Sequence, residues 1–417
     1  MTEHEIMVVL LAVGLLLAVA RLLGEMAMAL HQPAVLGEIL AGIVLGPTIL
    51  GALAPAVEET LFPIGQPPHT ILNGLTTVSV VLFLLVAGTK VNLSSIWRQG
   101  RAAFNVSIAG IAFPFALGFA SAWFLPSLLG SGVRTHYLPF ALFFATALSI
   151  SALPVIAKTL MDLGLYHTDL GMVVIAAAIF DDLIGWIIFA VILGMMDART
   201  QPTLAIGQTI ALTLTFAALM LSAGRWGLNR ILPWLQGRMR GAGGVLGFGL
   251  PLALFAAAFT AWIGIHAIFG AFLVGVALGD SPHLNERARA TMSEFVSSFF
   301  APLFFASIGL RINFLAHFDG VLVLTVLLIA CVGKVVGCGL AAQGSGMARV
   351  DAWAVGVAMN SRGAMEIILG LMALQYGIIE ERMFVALVVM ALVTSAMSGP
   401  LMRALLAHRG IASQRVL

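Results

Sequence analysis

The sequence predicts an all-α polytopic membrane protein with 13 transmembrane helices. These helices form two repeats of opposite topology, and broken helices of the two repeats cross each other in the interior of the protein. Of the 417 residues, 60% are hydrophobic and only 10% are charged, whereas soluble domains carry about 25% charged residues. A pair of adjacent carboxylates, Asp181 and Asp182, interrupts one long apolar segment. Similar segments recur in the second half of the chain. Together these observations exclude a soluble globular domain.

Thirteen apolar segments are of spanning or near-spanning length for a hydrocarbon core of about 30 Å. One membrane domain, residues 1–417, therefore uses the whole chain. The short ninth segment begins directly after a tight turn. The segments are 6–23, 34–52, 71–88, 103–125, 138–163, 169–195, 203–223, 245–263, 265–279, 291–310, 319–342, 352–375 and 383–406.

The first segment is interpreted as a membrane span because no basic stretch precedes it and no small-residue cleavage site follows it. An odd number of spans places the termini on opposite sides. With the N-terminus outside, fourteen lysines and arginines fall on the inner side and four on the outer side. The positive-inside rule then predicts a multi-pass protein of the cell membrane with a cytoplasmic C-terminus.

The two halves of the chain repeat each other. Residues 40–47 resemble 273–279, and residues 82–92 resemble 303–313 in one register. These matches pair the second span with the ninth and the third with the tenth. The offset of seven spans is odd, so the two repeats have opposite topology. Inverted repeats are a transporter architecture, with the site near the midplane of the bilayer.

Asp181 and Asp182 lie near the middle of the sixth span, roughly 17 Å from its start at ~1.5 Å per residue. A charge at that depth costs at least about 2.5 kcal/mol, so intramembrane acids usually pair or handle ions. Adjacent helical residues point about 100° apart, so one carboxylate can face a partner while the other faces water.

The fifth span is predicted to be broken at Pro154, which leaves the carbonyl of Ile150 without its helical donor. The hydroxyls of Thr146, Ser149 and Ser151 surround that point. Unwound carbonyls and half-helix ends can coordinate cations. A proline kink with serine hydroxyls bonded back to their own helix, which is common in membrane helices, is the alternative interpretation.

The twelfth span, which the repeat pairs with the fifth, is polar at the corresponding place, with Asn360, Ser361 and Arg362. Glu366 follows Arg362 by one turn on the same face, so the two can form an ion pair. Interrupted spans at matching positions of two repeats indicate a transport site.

Lys334 lies fifteen residues into the eleventh span, too deep to snorkel easily to the interface. It needs an anion, and Asp181 and Asp182 are the deepest candidates. The two cysteines, Cys331 and Cys338, share this span and are interpreted as small core residues.

Other function classes find little support. The net charge is +2 and no basic patch interleaved with aromatic residues was found, so no nucleic-acid partner is expected. An enzyme would need a nucleophile–base pair or a metal cluster; His266 alone is weak, and no HExxH motif occurs. The chain is therefore not expected to be an enzyme or to carry a cofactor. A sodium-coupled organic-anion symporter shares the inverted-repeat architecture but has no obvious use for a buried carboxylate pair with a lysine.

Taken together, the residues resemble the monovalent cation:proton antiporter-2 family over essentially the whole chain. The resemblance rests on residues 32–47, the break in the fifth span, and residues 180–182, 333–334 and 359–366.

That resemblance implies the sodium/proton antiporter fold, a homodimer and an elevator movement in the lipid bilayer. It implies scaffold and dimer helices at about 1–90 and 245–310 and a linker helix at about 203–223. The mobile core is then about 103–195 and 319–406.

The resemblance further implies that Asp182 binds the cation and that Asp181 pairs with Lys334, which could carry a proton. Asn360, Ser361, Arg362 and Glu366 would support the broken twelfth span.

The expected substrates are H⁺ and Na⁺, with Li⁺ or K⁺ as alternatives. Two like charges in a low dielectric cannot both stay ionised without a cation, so protons and a cation compete for one site. The two aspartates favour the sodium-type branch over potassium-efflux relatives that lack the pair. With three titrating groups, two protons per cation and net charge movement are expected.

Overall fold

A computed structural model describes residues 2–30, 32–91, 100–129, 137–166, 168–200, 206–238, 243–264, 266–284 and 286–407. Within these ranges only the backbone is described at residues 100–101, 182, 193–200, 206, 209–210, 235–237 and 243–245.

Every regular element in the described ranges is helical. A π-helical turn, Met220–Gly224, joins α10 to α11, and another, Val296–Phe300, joins α14 to α15. The α-helices are α1 (Glu3–Ala29), α2 (Ala34–Leu45), α3 (Leu50–Leu53), α4 (Pro55–Leu61), α5 (Pro67–Thr89), α6 (Gly100–Phe124), α7 (Tyr137–Ser149), α8 (Leu153–Asp162), α9 (Asp169–Thr200), α10 (Ile206–Leu219), α11 (Arg225–Arg238), α12 (Gly243–Trp262), α13 (Ala267–Gly279), α14 (Glu286–Phe295), α15 (Ala301–Arg311), α16 (Gly320–Gly344), α17 (Arg349–Met359), α18 (Ala364–Gln375) and α19 (Glu381–Ala407).

The prediction of an all-α polytopic fold is confirmed. In the described residues, ten helical stretches are long and apolar enough to cross a membrane. The pair α17 and α18, bent by 43° at its break, makes an eleventh. Two shorter apolar helices follow the same pattern: Leu246–Trp262, which is most of α12, and Ala267–Gly279, which is α13. Each of the thirteen predicted segments falls on one of these helices or helix pairs.

The chain divides into two compact units. Unit 1 comprises Met1–Asn92 and Thr203–His317, and unit 2 comprises Leu93–Pro202 and Phe318–Leu417. Each unit therefore takes one part from each half of the sequence. The segment expected to act as a linker, 203–223, belongs to unit 1. The scaffold, linker and mobile-core roles stay predictions.

Unit 1 contains two close helix crossings that the repeat relates to each other. A Cβ on Gly42 of α2 would lie 1.8 Å from the carbonyl oxygen of Ala306 and 2.9 Å from the Cα of Gly309 in α15. A Cβ on Gly275 of α13 would lie 3.0 Å from the Cα of Gly88 in α5. The sequence repeat aligns Gly42 with Gly275 and Gly88 with Gly309. Two glycine pairs that the repeat makes equivalent, Gly42 with Gly309 and Gly275 with Gly88, therefore form the two crossings. Glycine is needed there because only glycine lets helix backbones approach so closely.

Gly275→Ala is expected to destabilise the protein by about 1–3 kcal/mol, because its Cβ would lie 2.2 Å from the backbone carbonyl of Leu85. Thermal unfolding of the purified protein in detergent measures the effect. The matched control is Gly14→Ala, since a Cβ there meets nothing within 4 Å. Equal melting temperatures for the two variants would contradict the close-crossing account.

Candidate functional site

The two broken helix pairs of unit 2 meet at their breaks. Residues 150–152 separate α7 from α8, and residues 360–363 separate α17 from α18. The backbone N–H of Ala152 donates to the carbonyl oxygen of Ser361 at 2.8 Å. This hydrogen bond joins two non-helical segments in the interior of the unit.

The first break lies before Pro154. That residue falls in the first turn of α8, where a helix needs no N–H donor. The helix is thus interrupted completely over three residues. The break predicted at Pro154 is therefore present, over residues 150–152, and it differs from a simple proline kink.

Asp181 is fully buried near the middle of α9 and receives three hydrogen bonds. The ammonium of Lys334 donates to Oδ2 at 2.5 Å. The hydroxyl of Ser151 donates to Oδ2 at 3.0 Å, and that of Ser107 donates to Oδ1 at 3.2 Å. Charge-assisted hydrogen bonds of this kind are the strong ones. They hold the carboxylate between α6, the first break and α16.

Lys334 is also fully buried, and each of its three N–H groups has an acceptor available. Besides Asp181, the ammonium donates to the carbonyl of Gly110 at 2.7 Å and to the carbonyl of Ser149. An ammonium has three donors and no acceptor, so this set accounts for all of them. Lys334 is therefore bound to the last residue of α7, to α6 and to α9.

Arg362 occupies the same helix end from the second break. Its guanidinium donates to the carbonyls of Ala147 at 2.7 Å and Leu148 at 2.6 Å, and to Glu366 at 3.1 Å. The last carbonyls of a helix have no intrahelical partner and carry partial negative charge. The charged side chains of Lys334 and Arg362 therefore donate hydrogen bonds to the last three carbonyls of α7. The sequence analysis singled out the carbonyl of Ile150 as one that could coordinate a cation. In this structure Lys334 and Arg362 occupy the three carbonyls that precede it, those of Ala147, Leu148 and Ser149.

The three hydroxyls predicted as cation ligands have different surroundings. The hydroxyl of Thr146 donates to the carbonyl of Leu142 at 2.7 Å, and that of Ser149 donates to the carbonyl of Ala145 at 2.7 Å. Both bonds lie within α7. Of the three, the structure brings only Ser151 into contact with the buried carboxylate.

The second break carries buried oxygens without a hydrogen-bond donor among the described residues. These are Oδ1 of Asn360, Oγ of Ser361 and Oε2 of Glu366. The amide of Asn360 is oriented because its Nδ2 donates to the sulfur of Cys331 at 3.2 Å. Buried acceptors without partners are rare in native structures and call for an explanation. Oxygens with free lone pairs are the ligands that a dehydrated alkali cation needs.

The fold agrees with comparisons to known proteins. Residues 8–408 match the family described as sodium/hydrogen exchanger, transmembrane. The chain belongs to the sodium/hydrogen exchanger family.

Among curated exchangers, the Na(+)/H(+) antiporter NhaS4 of Synechocystis is 31% identical over 404 residues, which are 96% of this chain and 98% of that protein. Cation/H(+) antiporter 17 of Arabidopsis thaliana is 31% identical over 408 residues, but this chain spans 49% of its length. The sodium proton antiporter MjNhaP1 of Methanocaldococcus jannaschii has a TM-score of 0.61, with 15% identity and coverage of 98% and 99% of the two chains. That likeness shows the fold.

Sequence analysis missed two groups of this exchanger's buried cluster. Ser107 and the carbonyl of Gly110 lie one turn apart on α6 and bind Asp181 and Lys334. Neither is ionisable, and a backbone carbonyl has no sequence signal at all. The remaining predicted residue, Asp182, lies in α9, but its side chain is outside the described residues.

Arg362→Met is expected to destabilise the exchanger by about 3–5 kcal/mol, because it leaves a buried carboxylate and two helix-end carbonyls without donors. Thermal unfolding in detergent measures the loss. Arg349→Met, at an exposed arginine of the same unit, is the control and should melt close to the parent. An Arg362→Met variant as stable as that control would show that the α7 end does not depend on this guanidinium.

Proposed function

We propose that this exchanger moves a monovalent cation, Na⁺ in preference to Li⁺ or K⁺, against protons by elevator-type alternating access. The observation that carries the proposal is the ion pair of Asp181 and Lys334, both fully buried where two broken helices meet. Family membership supports cation/proton exchange. Na⁺ is named because NhaS4, which this chain matches over 98% of its length, is a Na(+)/H(+) antiporter.

The exchange follows from competition between ligands for one set of oxygens. Asp181 and Asp182 are adjacent, and two carboxylates in a low-dielectric interior repel each other unless a proton or a cation joins them. Protons occupy the pair at low pH. At higher pH a dehydrated cation replaces them, and antiport results when the core crosses the membrane only in a loaded state.

We assign the cation to Asp182, with Asp181 beside it. Among the neutral oxygens, Ser151 contacts Asp181, and the acceptors on Asn360 and Ser361 are free. Thr146 and Ser149 donate to carbonyls but retain hydroxyl lone pairs, so they are further candidates. This set combines one charged ligand with several neutral oxygens, which is a composition that binds a hard monovalent cation.

Because Lys334 can carry a second proton, we favour a stoichiometry of two protons per cation, which makes the exchange electrogenic. When the cation binds, Asp181 can release Lys334 and the ammonium can lose its proton, so that two protons exchange for one cation. Because net charge then moves in each cycle, membrane voltage would drive the transport.

The proposed moving part is the core within unit 2, 103–195 and 319–406, which contains every residue of the cluster described above. Unit 1 would be the scaffold through which two copies form a homodimer. The outside position of the N-terminus rests on the positive-inside rule.

Potassium remains the alternative substrate. The K(+)/H(+) antiporter 1 of Saccharomyces cerevisiae is 30% identical over 387 residues, and this chain spans 43% of it. The Na(+)/H(+)-K(+) antiporter GerN of Bacillus cereus is 27% identical over 396 residues and 94% of each chain. Nothing in the site favours K⁺ over Na⁺.

The test uses proteoliposomes that hold a pH-sensitive dye and an imposed pH gradient, to which Li⁺, Na⁺ or K⁺ is added without organic anions. Dequenching should follow Na⁺ addition and should be abolished in Asp182→Asn, which is nearly isosteric but cannot exchange a proton for a cation. Ser361→Ala should keep the maximal rate but need a higher cation concentration for half-maximal exchange, since it removes one neutral ligand. Wild-type dequenching by Asp182→Asn would refute the assignment.

A further inference from the structure

One face of α11 carries alternating tryptophans and arginines. Trp226, Arg230, Trp234 and Arg238 follow one another at intervals of four residues, and such residues stack along one side of a helix. We call these four residues the Trp–Arg ladder. The guanidinium carbon of Arg230 lies 5.3 Å from the ring centre of Trp226, and that of Arg238 lies 5.0 Å from that of Trp234. The sequence analysis found no basic patch interleaved with aromatics, and the ladder corrects that statement.

The ladder faces away from the core of its unit. Leu228 and Leu232, on the other side of α11, are buried in the hydrophobic core of unit 1. Trp226 is 65% exposed and Trp234 is 58% exposed. Two large aromatic side chains are thus held outward on a helix whose opposite face is fixed by packing.

The position of α11 places the ladder at a membrane surface. The helical stretch from Ile206 to Arg238 continues through the π turn, and at ~1.5 Å per residue it is about 50 Å long. A hydrocarbon core is about 30 Å thick, so one end of this stretch reaches the lipid headgroups. The end that carries the arginines is the one expected there, since tryptophan and arginine concentrate at that depth.

The ladder has an excess of positive charge that the chain does not neutralise locally. Between Asp197 and Asp280 the sequence contains no carboxylate, whereas residues 225–240 contain four arginines. Arg225 forms an ion pair with Asp280. Among the described residues, no carboxylate lies within 4 Å of Arg230 or Arg238.

We propose that the Trp–Arg ladder is a docking surface for anionic phospholipids. The indole rings would lie at headgroup depth, and the guanidinium groups, stacked on those rings, would bind lipid phosphates. A bilayer is the occupant because α11 continues a membrane-spanning helix, so lipid surrounds the ladder wherever the protein is inserted. The surface belongs to unit 1 and the buried cluster to unit 2, and the proposal does not depend on which ion is transported.

The test compares the melting temperature of the full-length protein in detergent on titration with phosphatidylglycerol or with phosphatidylcholine. Phosphatidylglycerol should stabilise the parent protein at lower concentration, and added salt should weaken only that effect. Each basic residue near an anionic surface contributes about a fivefold gain in affinity. Arg230→Gln with Arg238→Gln should therefore raise the half-effective phosphatidylglycerol concentration about 25-fold.

The matched control is Arg287→Gln with Arg403→Gln, which removes the same charge from exposed arginines for which no stacking on an aromatic ring is seen among the described residues; it should raise that concentration clearly less. Arg230→Lys with Arg238→Lys keeps the charge and should retain most of the parent protein's affinity for phosphatidylglycerol. This lysine pair is the variant to measure if the glutamine pair does not fold. Quenching of tryptophan fluorescence should be stronger with brominated phosphatidylglycerol than with brominated phosphatidylcholine.

Equal losses in the ladder and control variants would overturn the proposal, because they would indicate a general effect of net charge. Equal stabilisation by soluble glycerol phosphate would also overturn it, because the ladder would then bind free phosphate and not a membrane. Equal quenching by the two brominated lipids would have the same consequence.

Discussion

The ion pair between Lys334 and Asp181 is the interaction on which the interior of unit 2 depends. Both groups are fully buried, and their charges meet at 2.5 Å. Removing one partner of such a pair leaves an uncompensated buried charge, which costs about 3–5 kcal/mol. The same ammonium binds the end of α7 and the carbonyl of Gly110. One proton on Lys334 therefore affects three helices at once, which makes this group suited to link protonation to a change in helix packing.

Breaking a helix inside a membrane exposes backbone carbonyls that hydrocarbon cannot satisfy. In this chain, Arg362 crosses from the second break to satisfy Ala147 and Leu148, and Lys334 satisfies Ser149. The first break therefore persists because cations from the other repeat stabilise it. The unpartnered oxygens of Asn360, Ser361 and Glu366 are then polar atoms left for another ligand.

Much of the fold was predictable from the sequence, and part of the candidate site was. The all-α architecture follows from thirteen apolar segments, and the repeat that aligns Gly42 with Gly275 reappears as two equivalent helix crossings. Asp181 and Lys334 stand out because charges are rare inside spans. Ser107 and the Gly110 carbonyl have no such signal, since polar contacts between distant helices depend on packing. The hydrogen bond that Thr146 makes within its own helix is of a kind common for hydroxyl residues in membrane helices, but residue types alone do not tell which hydroxyls are used in this way.

The central claim is that Lys334 carries a proton in each transport cycle and does more than neutralise Asp181. The most direct measurement is Na⁺-driven proton flux by Lys334→Gln in proteoliposomes under a clamped membrane potential, beside the parent protein. Glutamine keeps most of the side-chain length and its hydrogen bonding but carries no charge. The account predicts that the variant either stops or exchanges one proton per cation and becomes insensitive to voltage. An active variant whose flux responds to voltage as the parent's does would contradict the account.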